Sequence, residues 1–188
     1  ANNQEFCRLI NNSQVDERAL REIYLKAFEI AVRKAQPWTI MGSYNRLNGT
    51  YTYQNHWLLT QIVREEWGFE GLFVSDWGAV EDRVKAVKAG LDLEMPSSGN
   101  YRDKQLLRAL KTGKIDEESV DRAVTKLLQL IEKCKAEKPI VGEEIYQENH
   151  DLARRVLTES AVLLKNEGGL LPLMPSDDVL LVGELGQN

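Results

Sequence analysis

Apolar residues recur along the chain with two different periods. From Asp16 the positions Leu20, Ile23, Tyr24, Ala27, Phe28, Ala31 and Ala35 are spaced by three and four, which predicts an amphipathic helix with this stripe buried, stopped by Pro37. Residues 38–44 (Trp-Thr-Ile-Met-Gly-Ser-Tyr) read as a short buried strand, and the Asn48-Gly49 pair that follows is a turn signal. Trp57, Leu58, Ile62, Val63 and Trp67 mark a second helix, closed by Gly68 at a C-terminal capping position. The period then changes. Leu72-Phe73-Val74 is a continuous apolar run, the form of a parallel strand covered on both faces, and it ends in Ser75-Asp76-Trp77-Gly78. A third helix over 80–89 closes on Gly90, and residues 91–96 form another strand with carboxylates at alternate positions.

Strand units joined by helices of this length imply right-handed crossovers and a parallel sheet, hence an α/β class; periodicity leaves an open sheet and a barrel equally available. Beyond Pro96 helices return, around Leu106, Leu107 and Leu110 and then Val120, Val124, Leu127, Leu128 and Ile131, each expected to pack on one side. Residues 137–146 mix charge with Pro139 and Gly142 and carry no periodicity, so they read as a linker between a unit over 1–136 and a second over 147–188. The second unit is expected to hold a helix over 148–164, a turn at Gly168-Gly169 and a terminal strand over 179–182. That final strand, with no helix after it, and a first residue other than methionine lead us to expect an internal piece of a longer protein, a processed mature terminus being the alternative.

With 43% hydrophobic and 28% charged residues the composition is that of an ordinary globular protein. A net charge of −5, without a basic aromatic-rich cluster, argues against nucleic acid as a partner. No apolar run approaches the roughly 18–20 residues of a bilayer crossing, so no membrane partner is expected, and a cytoplasmic location is favoured over secretion. Cys7 and Cys134 read as free thiols, and His56 and His150 stand alone, so neither a metal nor another cofactor is expected. Gly183-Glu184-Leu185-Gly186 is too short an echo of a dinucleotide fingerprint to change that.

Ligand sites of parallel α/β sheets gather beyond the carboxyl ends of strands. Asp76, directly after its strand, is therefore a candidate catalytic carboxylate with Trp77 as an apolar plate for a sugar ring; the competing role is an N-cap for the helix near Val80. Tyr44 and Arg46 either project into a cleft or cap the sheet. Asp92 and Glu94 share a strand face, as an acid pair or, more commonly for buried carboxylates, as partners of Arg or Lys. Glu5 and Arg8 have the spacing of a helical ion pair, or else form the polar rim of a site.

Several ordered segments together are more specific: residues 2–5 with Arg8, 15–25, 41–45 (Met-Gly-Ser-Tyr-Asn), 74–79 (Val-Ser-Asp-Trp-Gly-Ala), 90–96 (Gly-Leu-Asp-Leu-Glu-Met-Pro), 161–166 and 170–173. This set resembles the β-glucosidases of glycoside hydrolase family 3 over essentially the whole chain. The resemblance implies the C-terminal part of a (β/α)8 TIM-type barrel, from after its fifth strand, followed by the start of an α/β sandwich domain. It implies Asp76 as nucleophile, with Trp77 lining the sugar subsite and Tyr44 beside the nucleophile. By the same map the sugar-binding Lys-His pair precedes Ala1 and the general acid/base lies beyond Asn188. Gly183-Glu184 departs from the Gly-Pro common in the family. The expected parent is a retaining exo-β-glucosidase acting on a carbohydrate substrate, a β-glucoside or oligosaccharide, and the chain alone is expected to be inactive. A β-xylosidase or other exo-β-glycosidase is the alternative within the class, and a non-catalytic carbohydrate-binding or structural half barrel the alternative outside it. Unpaired strand edges of a partial barrel further imply self-association of the chain, or a complex with the missing segments.

Overall fold

The computed structural model describes residues 1–136 and 142–184 and divides into two units, Ala1–Lys138 and Pro139–Asn188. In the first unit, Asp16 accepts a hydrogen bond from Ala19 N (2.9 Å) and so caps a helix that begins at Glu17–Ala19 and resumes as Lys26–Ala35. Between these, Leu20–Tyr24 form a wider turn in which Leu25 N reaches Leu20 O at 2.8 Å. That turn inserts one residue into the helical register and rotates the buried face. Leu20, Leu25 and Val32 consequently enter the core, while Ile23 and Phe28, both assigned to the buried stripe by spacing, remain exposed.

The chain then turns through Gln36, at φ 45°, into strand β2 (Thr39–Met41). β2 pairs in parallel with β5 (Leu72–Val74) in the register Thr39↔Leu72, Ile40↔Phe73, Met41↔Val74. On the other side of β5, Val74 forms a single parallel bridge to Leu93. β5 is thus central, with Leu72 and Phe73 buried as a covered strand requires. β2 has no outer neighbour among the described residues, and Met41 is exposed where a buried strand is expected. The strand expected over 91–96 is reduced to that bridge, made by Leu93 N on Phe73 O at 3.0 Å and Ser75 N on Leu93 O at 2.9 Å.

The crossover from β2 to β5 contains helix Trp57–Glu66, which buries Leu58, Leu59, Ile62 and Val63 and ends at Gly68, φ 76°, whose N–H bonds Arg64 O at 3.0 Å. The crossover from β5 to Leu93 contains helix Arg83–Ala89, capped at its start by Asp82 and at its end by Gly90. Gly71 sits where chain and core meet most tightly: a Cβ there would lie 2.6 Å from Trp38 O and 2.7 Å from the Phe69 ring. Gly71→Ala is expected to lose about 1–3 kcal/mol, read as a lower urea midpoint at unchanged m value.

A second, small sheet was not foreseen from the sequence. β3 (Arg46–Leu47) and β4 (Thr50–Tyr51) form a hairpin across Asn48-Gly49, both at positive φ (49° and 92°), and β1 (Asn12–Ser13) adds to β3 in parallel. Asn48 holds β1 in place with its side-chain amide, accepting from Val15 N at 2.9 Å and donating to Val15 O at 2.8 Å. Helices Tyr101–Lys111 and Glu117–Ala136 complete the unit; Ala109, Ile115 and Val87 form a satellite core. The face expected to pack is only partly covered, with Leu107, Val124, Leu128 and Ile131 exposed.

In the second unit, helix Glu143–Ser160 starts five residues earlier than expected, Glu143 and Glu144 supplying the negative charge that a helix N-terminus favours. Residues 143–146 of the expected linker are therefore helical, and 137–141 lie outside the described residues. A short helical turn follows at Glu167–Gly169. The strand expected over 179–182 is absent: Val179, Leu180, Leu181 and Val182 are exposed, without the neighbouring strand that would satisfy their main chain.

Candidate active site

β2 and β5 run parallel side by side, so the loops leaving their carboxyl ends emerge together, carrying Tyr44 from one and Asp76-Trp77 from the other. The ladder extends one residue past β2, Gly42 N bonding Val74 O at 3.0 Å, which fixes the two exits relative to each other. Tyr44 then crosses to the neighbouring loop, its hydroxyl donating to Trp77 O at 2.7 Å. Burial, and next the adjacent Asp76 carboxylate, push the Tyr44 phenol above its ordinary pKa; Arg8 opposes them. The Arg8 guanidinium lies 4.9 Å from the centroid of the Tyr44 ring and pairs with Glu5 at 3.2 Å. Arg8 and Glu5 thus form the three-residue ion pair, in a turn rather than the helix expected for that spacing, and Arg8 alone of the two reaches Tyr44.

Asp76 is partly buried, and its Oδ1 accepts from Trp77 N at 2.7 Å. The capping role open to it from the sequence is taken by Asp82, whose Oδ1 accepts from Lys85 N at 3.0 Å in the first turn of helix Arg83–Ala89. Trp77 is 64% exposed, leaving its indole available as a flat apolar surface. The turn is anchored from below. Ser75, 2% exposed, accepts from Met95 N through Oγ at 2.9 Å and donates to Met95 O at 3.2 Å, and Gly78 N bonds the same carbonyl at 2.8 Å.

The other carboxylates have structural partners. Glu94 receives Arg83 at 2.5 Å on one oxygen and Arg102 at 2.6 Å on the other, Arg83 also pairing with Asp103. Asp92, fully buried, pairs with Arg64 at 2.5 Å and accepts from Phe73 N at 2.8 Å. Neither forms an acid pair with the other. Arg46 covers the Tyr51 ring at 4.7 Å and serves the small sheet rather than the cleft. That cleft opens beside Tyr44, bounded by Leu9, Tyr51, Tyr53, Glu81 and Arg102, with a volume of about 270 Å³. Neither Asp76 nor Trp77 lines this cleft, which is smaller than the roughly 300 to 1,000 Å³ of small-molecule pockets. Cys7 and Cys134 are free and exposed, and among the described residues no three His, Cys, Asp or Glu side chains converge on one point. No helix among the described residues is long and apolar enough to cross a membrane.

Residues 9–130, well over half of the chain, match the model of the glycosyl hydrolase family 3 N terminal domain. The chain belongs to glycosyl hydrolase family 3. Among curated relatives of this family 3 chain, thermostable beta-glucosidase B of Acetivibrio thermocellus is 48% identical over 183 residues, covering 97% of the chain and 24% of the relative. An exo-alpha-(1->6)-L-arabinopyranosidase of Bifidobacterium breve is 49% identical over 174 residues, covering 92% and 23% respectively. Of solved structures, a GH3 beta-glucosidase of Bifidobacterium adolescentis superposes with a TM-score of 0.76 at 46% identity, covering 92% of the chain and 26% of that structure. Beta-glucosidase 3B of Thermotoga neapolitana in complex with alpha-D-glucose gives 0.76 at 41% identity, over 93% and 26%. The family 3 chain spans about a quarter of the length of the curated relatives it matches.

Proposed function

We propose that the longer protein carrying this chain is a retaining exo-β-glucosidase in which Asp76 is the nucleophile. The observation that carries the reading is the placement of Asp76: a partly buried carboxylate separated by one residue from a central parallel strand, beside the Tyr44 phenol and followed in the chain by the exposed Trp77. A second carboxyl group, outside this chain, protonates the leaving oxygen as an Asp76 carboxylate oxygen bonds to the anomeric carbon and the glycosidic bond breaks. Water, deprotonated by that same group, then attacks the anomeric carbon and returns Asp76 as a carboxylate. Trp77 offers the apolar face of the sugar ring its plate, and Tyr44 holds the turn through Trp77 O. Without the second carboxyl group the chain alone is inactive.

The same reading makes β2, β5 and the Leu93 segment the last three strands of a (β/α)8 barrel whose C-terminal part occupies residues 1–136, with 147–188 opening an α/β sandwich domain. Their shared parallel direction and the helical crossovers between them support it. The arabinopyranosidase relative, as similar as the glucosidase, supports a second reading in which the preferred sugar is a pentopyranose such as xylose or arabinose. Aryl glucoside, xyloside and arabinopyranoside turnover by the full-length enzyme separates these. The nucleophile is tested by incubating that enzyme with a 2-deoxy-2-fluoro glucoside bearing a good leaving group, then peptide mapping by mass spectrometry. The adduct is expected on Asp76; a label on another residue with turnover intact would refute the assignment.

A further inference from the structure

Asp76 sits in a turn closed by Ala79 N on its own carbonyl at 3.1 Å, with Trp77 N on its Oδ1 at 2.7 Å, and the aim of that turn depends on what fixes Ser75 and Gly78 at its two ends. Both are tied to one place, the main chain of Met95. The Ser75 hydroxyl bridges Met95 N at 2.9 Å and Met95 O at 3.2 Å, Gly78 N meets that same oxygen at 2.8 Å, and Ser75 N bonds Leu93 O at 2.9 Å. Met95 is in turn held from the preceding residue, since Glu94, with 4% of its side chain exposed, is gripped by Arg83 and Arg102 on opposite oxygens. Beyond Val74↔Leu93 the ladder stops, and the hydroxyl takes over the task of joining the two chains.

We propose that Ser75 is a positioning residue for the attack by Asp76, an assignment that rests on Asp76 being the nucleophile. The hydroxyl extends the strand pairing by one side-chain link and sets the direction in which the next residue leaves the sheet. Removing it leaves the Ser75 and Gly78 amide bonds in place, so the turn survives but swings about them. Displacement of a reacting group by about 1 Å can cost on the order of a hundredfold in rate without loss of ground-state binding. A hydroxyl that merely satisfied the buried Met95 amide would, on removal, lower stability and leave the chemistry of each folded molecule unchanged.

The experiment uses the full-length enzyme as parent, Ser75→Ala, Ser75→Cys and Ser75→Thr, with the 2-deoxy-2-fluoro glucoside as probe. Concentrations are normalised to active sites, and inhibition by glucose reports ground-state affinity. In Ser75→Ala the first-order rate of covalent labelling is expected to fall about 10- to 100-fold, with the glucose inhibition constant within about twofold of the parent. Ser75→Cys, which keeps the volume but weakens both hydrogen bonds, is expected to label at an intermediate rate, and Ser75→Thr, which keeps the oxygen, within about threefold of the parent. If Ser75→Ala does not fold, the cysteine variant decides by the same comparison. A labelling rate per active site equal to the parent's in the alanine or cysteine variant overturns the proposal. Peptide mapping of the parent separates the two levels: an adduct away from Asp76 removes the nucleophile and this proposal with it, whereas an adduct on Asp76 with unchanged rates in the variants removes only the role of Ser75.

Discussion

Asp76→Gly in the full-length enzyme is expected to lower kcat for an aryl β-glucoside by about a thousandfold or more. Loss of a covalent nucleophile removes a whole reaction channel rather than one contact, so the deficit belongs to kcat and survives saturation with substrate. The space left by the carboxylate suggests the complementary measurement. A small anion such as azide can enter from the face that Asp76 occupied, displace the leaving group once, and give a glycosyl azide of inverted configuration. Restored turnover of an activated glucoside with that product, identified by NMR, would assign the attacking face to position 76. Azide without effect, combined with a modest drop in kcat, would mean that Asp76 orients the sugar and that another group attacks.

The second large effect is expected far from Asp76, at the opposite end of the same strands. Arg64, on the crossover helix, donates to Gly71 O at 3.0 Å and to Asp92 at 2.5 Å, with its guanidinium 5.6 Å and 4.9 Å from the Phe69 and Phe73 ring centroids. One side chain therefore ties the start of β5 to the segment leading to Leu93. Burial pushes the Asp92 carboxyl above its ordinary pKa and the Arg64 guanidinium below its own, so the pair carries a desolvation cost. Breaking it from one side leaves a buried carboxylate alone, and Arg64→Met is expected to cost about 3–5 kcal/mol, measured by urea unfolding of the purified chain. The sign with pH follows. A carboxyl whose folded pKa is raised contributes stability below its unfolded pKa of about 3.9, and that contribution is lost as pH rises through the folded value. In Arg64→Met that value rises further, so the deficit should shrink as pH is lowered through the folded value of the variant. A deficit that stays constant from neutral pH down to the unfolded value of about 3.9 would mean Asp92 is not the group left exposed to the penalty.

These two ends of the sheet differ in how far the sequence announces them. Asp76 is legible because three apolar residues in a row specify a covered strand, and the first carboxylate beyond them must emerge at its rim. The partners of Asp92 and Glu94 are not legible: Arg64 is a crossover residue 28 positions upstream, and Arg83 and Arg102 flank Glu94 on separate helices. Nor could period alone find the small sheet, whose two-residue strands are too short to alternate and depend on Asn48 side-chain hydrogen bonds. The helix at Glu17–Ala35 is instructive in another way. Its existence follows from spacing, but the wide turn at Leu20–Tyr24 shifts the face, so the right element carries partly the wrong core residues. At the far end, the expected strand over 179–182 fails because apolarity selects a residue for a sheet and cannot supply the neighbour that completes it.

Asp82 and Asp76, six positions apart, divide between them two duties that one aspartate could have been asked to share. Because the cap belongs to Asp82, the helix Arg83–Ala89 is insulated from whatever happens at position 76. A change of side chain at position 76 is therefore expected to leave that helix and its packing in place.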